Sequence, residues 1–570
     1  MSRLLTHDER AGAGRVLLPT LMLIAFAVVC PVSQAQEAAI ASPEPHATEV
    51  GLAVLRRGGN AVDAATAVAF ALAVTLPDAG NIGGGGFMTL YVDEMPAFLD
   101  YRETAPAAAF RDMYIDETGE VDPDASLTGH RAVGVPGTVA GLWAAHSRYG
   151  VLPWDSLVEP AISLAQSGFV VGEELIAVID YERERLISDT NFFDYYGSAA
   201  AGKRFTQPEL AQTLRRIADQ GVEGFYAGET AALIADEMRA GGGLITKADL
   251  STYEPRWREP LTLDWHGYKI ITAPLPSSGG LGILQYLQMK DRLRDEFAGL
   301  AHNSPQYIHL KSEIEKRIFA DRASFLGDSD FVPVPIDELL DKKRLKRRAA
   351  EVNSREISPT KPMTFVREPT HTTHFSILDA QGNAVSNTYT LNTDFGSGVV
   401  VRGAGFLLNN EMDDFSAAPN QPNYYGVVGS AANAIAPGKR MLSSMAPTIL
   451  LRDDEVAMAL GAMGGSTIFT TVYQLISNIV EFGMSAQEAQ AVTRVHHQLL
   501  PKDLITYSPT PPLAAQTIKA LQNLGYRVEP HSYEYGNVQL IWRDEQGVLS
   551  AASDPRFSGV SAVINIPADR

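Results

Sequence analysis

Cysteine is almost missing from this chain: Cys30 is the only one in 570 residues. It falls in a segment expected to be removed, so disulfides, thiol catalysis and cysteine-based metal sites are all excluded. Positive charge is also scarce. Lys+Arg is 47 against Asp+Glu 67, a formal net charge of −20. A broad nucleic-acid surface needs a positive field and is excluded with it. Long apolar runs are nearly absent: Val16 to Val32 is the only one. Arg3, Arg10 and Arg15 precede it, and Ser33-Gln34-Ala35 follows as a small-x-small cleavage site. This reads as a secretory signal peptide over residues 1–35, and no other stretch is apolar enough to span a membrane. There is no repeat of solenoid length, no GxSxG elbow, and no Gly-Lys-Ser/Thr after the glycine run Gly83 to Gly86 that would make it a P-loop.

What is present is ordinary globular composition, 45% hydrophobic and 20% charged. Gly59-Asn60-Ala61 opens an Ala/Val-rich helix running to about Val74, and its small residues suit close packing of helix on sheet. Ser277-Ser278-Gly279-Gly280 reads as a helix-start turn. The basic run from Lys342 to Arg348 reads as a solvated helix face. Residues 352–371 turn polar and lose periodicity, with Pro359, Pro362 and Pro369, which marks an exposed linker. Beyond it, Thr373 to Leu378 and Ala384 to Asn392 flank the turn cluster Asp379 to Asn383, a hairpin pattern. With the turn centred on Gln381, Thr372 lies opposite Thr390, to within a residue or two.

Two facing threonine hydroxyls at the end of a linker raise a chemical possibility. Threonine is a weak nucleophile unless a base activates it, and the residue's own α-amine serves if it is an N-terminus. Cleavage before Thr372 would create that amine and two subunits, 36–371 and 372–570. His496-His497 is poorly placed for a metal, because adjacent histidines share one ion badly and no acidic ligand cluster accompanies them.

The chain resembles the γ-glutamyltransferases (γ-glutamyl transpeptidases), members of the N-terminal nucleophile hydrolases. The resemblance rests on GNAVDAATAVAFALAV, GNIGGGGFM, YRETAP, VGVPGTVAGL and PLPSSGG in the first half. In the second half it rests on TTHFSILDAQGNAVSNTYTLNTDFG, LLNNEMDDFS, MLSSMAPTI and GAMGGS, all in family order. It implies an α/β fold, a four-layer αββα sandwich in which both subunits form one body. It implies that Thr372 is the nucleophile and performs the self-cleavage, that Thr390 supports it, and that Thr373 is a structural neighbour. Asn392, Glu411 and Asp414 match positions that hold the substrate α-amino group; Arg102, Ser443 and Ser444 match the α-carboxylate site. Gly464 and Gly465 match the oxyanion hole, and residues 417–429 match a lid loop with Tyr425 as its gate. The pattern departs at Ala462-Met463 before the two glycines, at Met441 before Leu-Ser-Ser, and at Glu411, where some bacterial members carry Gln.

The implied reaction cleaves the γ-glutamyl amide of glutathione or a related compound and passes the acyl group to water, an amino acid or a peptide. It needs no cofactor. The expected location is outside the cytoplasm, the periplasm if the source is Gram-negative. One rival is a glutaryl-type β-lactam acylase on the same fold, which needs no α-amino pocket. Another is an exported peptide- or amino-acid-binding protein that never cleaves itself.

Overall fold

The computed structural model describes residues 36–119, 121–122, 124–360, 372–417 and 429–567 of the single, uncleaved chain. The signal segment, the last part of the linker and most of the lid loop with Tyr425 lie outside the described residues.

Two antiparallel sheets form the centre. The seven-stranded sheet runs in the order Val560–Ile566, Gln36–Ser42, Thr373–Leu378, Ala384–Thr390, Gly85–Val92, Met95–Tyr101, Arg256–Arg258. The six-stranded sheet runs Leu549–Ser553, Gly536–Arg543, Glu455–Met463, Thr448–Arg452, Tyr268–Thr272, Leu261–Trp265. Their inner faces meet in a shared apolar cluster. Ala39, Tyr91, Leu378 and Ala384 come from one sheet, and Ile271, Ile449, Ala459 and Ile541 from the other.

A helical layer covers each outer face. Every residue of the helix Ala61–Thr75 is buried, as expected of a helix that is hydrophobic all round. It begins at Asn60 with a reciprocal cap, Asn60 accepting from Asp63 N and the Asp63 carboxylate accepting from Asn60 N. On the opposite side the helices Gly279–Arg292 and Ile468–Val480 pack in the core that includes Leu450, Leu460 and Leu540 of the second sheet. The result is the αββα sandwich. Ser278 is the cap of the first of these helices, in the turn the sequence marked. The basic run is a helix, Lys342–Ala350, that buries only Leu345 and Ala349.

The interior between the sheets also carries a polar seam along the hairpin. Ser376 pairs with Ser386 and His374 with Thr388. The Ser376 hydroxyl donates to Gln539 O at 3.0 Å, and that of Ser386 to Leu460 O at 2.9 Å. The His374 ring lies between the Thr388 and Ser376 hydroxyls, at 2.8 and 3.0 Å. It sits so close to Gly461 that a Cβ there would meet it at 2.3 Å. Burial pushes the His374 pKa down to about 3, so the ring is neutral.

Candidate active site

The hairpin register is the one expected from the turn: Leu378 pairs with Ala384, Ile377 with Val385 and Thr373 with Tyr389. Continued by one residue, it brings the Thr372 hydroxyl to 3.4 Å from Thr390 Oγ1. Thr390 Oγ1 also accepts the Asn392 amide at 2.8 Å, so the backbone turn after the strand holds that oxygen in place. Asn392 makes the turn with φ 85°, a left-handed conformation that asparagine tolerates better than most residues. Its side-chain amide donates to Asn410 O at 3.0 Å, tying the turn to the acidic segment. The Thr373 hydroxyl, buried, has no hydrogen-bond partner among the described residues.

The Glu411–Asp414 segment is a single 3-10 turn. Asn409 fixes its entry, accepting from Glu411 N at 3.0 Å and from Gly134 N at 2.9 Å. Arg102 is only 1% exposed. It pairs with Glu411 at 2.7 Å and with Asp414, and has Glu103 at 3.5 Å. Three carboxyls therefore crowd one guanidinium. Burial pushes all three upward, Glu103 to about 8, against the pull of Arg102. Burial likewise opposes the charge on Arg102, but Glu411, Glu103 and Asp414 outweigh it and hold Arg102 firmly protonated.

Ser443 and Ser444 lie across the cleft. Ser443 O accepts from both the amide and the hydroxyl of Ser278, each at 2.8 Å. The two loops are thereby clamped, and Ser277 adds a bond to Met445 O at 2.6 Å. Gly464 and Gly465 form the turn between the strand Glu455–Met463 and the helix Ile468–Val480, both with positive φ, 125° and 52°. A register shift between Gly461 and Met463 re-aims the strand end just before them. The turn is fastened from below: Thr467 donates to Gly464 O through its amide at 2.9 Å and its hydroxyl at 2.7 Å. Met463, the last residue of that strand, is buried.

These groups share one cleft, lined by Thr372, Thr390, Asn392, Arg102, Glu411, Asp414, Ser443, Ser444 and Gly465. Gly464 stands one residue behind the lining. Sequence reasoning missed Arg322, Met445, Ser466 and Ile468, which line the cleft as well. Nothing in the local pattern around Arg322 marks it, since it sits in the last turn of an ordinary buried helix, Pro305–Phe325. His496 and His497 are taken up locally, by the Thr470 hydroxyl at 2.9 Å and Leu504 O at 2.6 Å.

Two stacked antiparallel sheets between helical layers, with a threonine entering a central strand at the cleft, define the N-terminal nucleophile hydrolase class. Comparison with known proteins narrows this. Residues 47–564 match the family model described as gamma-glutamyltranspeptidase. The chain is 55% identical over 526 residues to a glutathione hydrolase proenzyme of Pseudomonas aeruginosa, covering 92% of this chain and 94% of that one. It is 42% identical to the glutathione hydrolase proenzyme of Escherichia coli K12, covering 92% and 91%. A solved cephalosporin acylase from Bacillus halodurans superposes with a TM-score of 0.80 at 29% identity, covering 93% and 96%. The chain belongs to the γ-glutamyltranspeptidase family.

Proposed function

We propose that this protein is a self-cleaving γ-glutamyltransferase and glutathione hydrolase, exported by the signal segment 1–35 and periplasmic if its source is Gram-negative. The observation that carries the reading is the 3.4 Å approach of Thr372 Oγ1 to Thr390 Oγ1 in a cleft that also presents Arg102, Glu411 and Asp414. Cleavage before Thr372 yields subunits 36–371 and 372–570 and frees an α-amine beside the hydroxyl. That amine takes the Thr372 proton as Oγ1 attacks the γ-carbonyl carbon. A C–O bond forms, and the carbonyl oxygen becomes an oxyanion received by the amides of Gly464 and Gly465. Collapse breaks the C–N bond, and the leaving amine departs with the proton. Water, or the amine of an amino acid or peptide, then attacks the γ-glutamyl ester and regenerates Thr372.

A γ-glutamyl group is a zwitterion, and the cleft offers both signs. Glu411 and Asp414, with Asn392, receive the ammonium; Arg102, Ser443 and Ser444 receive the carboxylate, by charge-assisted hydrogen bonds that gain from desolvation. Arg102 pairs with Glu411 and Asp414, and a zwitterion exchanges those bonds for its own. A glutaryl acylase would have no use for the two acids. Residues 417–429 serve as the lid, with Tyr425 at its gate.

The test is γ-glutamyl-anilide release, with and without an acceptor dipeptide, by protein first shown on a denaturing gel to be cleaved. Thr372→Ala should remain one chain without activity. Efficient cleavage by that variant would sink the self-processing step, and normal turnover by it would sink the nucleophile.

A further inference from the structure

We propose that Arg322 is a specificity-determining residue of the cleft, supplying the positive charge that the substrate's α-carboxylate meets beside Ser443 and Ser444; this rests on the γ-glutamyl reading above. Arg102 is already taken up by Glu411 and Asp414, each paired with its guanidinium. An incoming carboxylate therefore competes with two acids for that one cation. A second cation comes from a different element. Arg322, in the last turn of Pro305–Phe325, lines the same cleft and is 6% exposed.

Its place is set by the serine loops. Arg322 Nε donates to Ser278 Oγ at 3.1 Å, and Ser278 Oγ donates to Ser443 O at 2.8 Å and lies 3.4 Å from Ser444 Oγ. One hydroxyl therefore links the guanidinium to both serines assigned to the carboxylate. The charge is felt across the cleft as well, because Arg322 pulls the Asp414 carboxyl down against its burial. A guanidinium anchored through Nε keeps its fork in a fixed orientation, which a flexible ammonium would not.

The experiment pairs two donors, a γ-glutamyl anilide and the same compound with its α-carboxylate replaced by a carboxamide. Wild type, Arg322→Gln and Arg322→Lys are compared by kcat and KM on cleaved protein. Arg322→Gln should raise KM for the carboxylate donor by roughly tenfold or more while the amide donor changes little, the loss of one charge-assisted contact. Arg322→Lys should recover part of that discrimination. An equal fall for both donors, or no change in either, overturns the proposal. If Arg322→Gln fails to fold or cleave, Ser278→Ala takes its place: it removes the hydroxyl that holds Arg322 Nε and should lower the donor discrimination severalfold, and unchanged discrimination again overturns it. Failure of wild type to use the γ-glutamyl donor at all would count against the function, whereas an active wild type with indifferent variants counts against Arg322 alone.

Discussion

Asp414 shows how one residue can serve two partners in turn. It pairs with Arg102; in the proposed complex it faces the ammonium. Asp414→Asn keeps the shape and removes the charge. It should lower kcat/KM for γ-glutamyl donors by roughly ten- to a hundredfold, while glutaryl donors, which lack the ammonium, lose little. An equal fall for both would make Asp414 a support for Arg102 and not a reader of the amino group. Glu103 gives a prediction in pH. Its folded pKa, about 8, lies above its ordinary value of 4.5, so the native state holds a proton that the unfolded chain releases. The stability it contributes is complete below the unfolded value and is lost as pH rises through the folded one. Glu103→Gln, which stays neutral, should flatten the decline of Tm between about pH 4.5 and about pH 8. Parallel Tm profiles for wild type and variant would refute the assignment.

Among the elements, the junction from Glu455–Met463 to Ile468–Val480 tolerates little change. Gly464 sits at φ 125°, and a Cβ there would meet Thr467 Oγ1 at 2.2 Å, the very hydroxyl that fastens the turn. Gly464→Ala must therefore move the amides it carries. The expected result is a fall in kcat of roughly 10²–10³ with KM nearly constant, the cost of misplacing an oxyanion donor. A variant with lowered Tm but unchanged kcat would show that the glycine serves folding only.

For the whole molecule, both sheets contain strands from before and from after residue 372. Gln36–Ser42 lies between Val560–Ile566 and Thr373–Leu378, and Tyr268–Thr272 pairs with Thr448–Arg452. Cleavage before Thr372 then removes one peptide bond and no sheet pairing. The two pieces should run separately on a denaturing gel, yet elute together at the mass of the full mature chain and melt in one transition. Separation of the pieces in native buffer, or two independent transitions, would contradict this interleaving.

The sequence by itself determined the hairpin and its register, because a turn centre and alternating strands leave little freedom; Thr372 opposite Thr390 follows from that alone. It determined the Ala/Val-rich helix beginning at Ala61, through its small apolar residues, and the Ser278 helix start. The family motifs carried the αββα layers and the other expected cleft residues, but not Arg322, Met445, Ser466 or Ile468. Only the tertiary structure decided which charges meet. Arg102 is distant in sequence from Glu411 and Asp414, and the three become one buried cluster because the Met95–Tyr101 strand and the Asn409–Asn410 anchors deliver them to the same place. Arg322 was invisible for the same reason: its helix carries no local signal, and its role arises from a hydrogen bond to a serine that the chain reaches from another layer. Local pattern encodes short-range geometry, whereas electrostatic partnership depends on burial and distance, which exist only once the layers have packed.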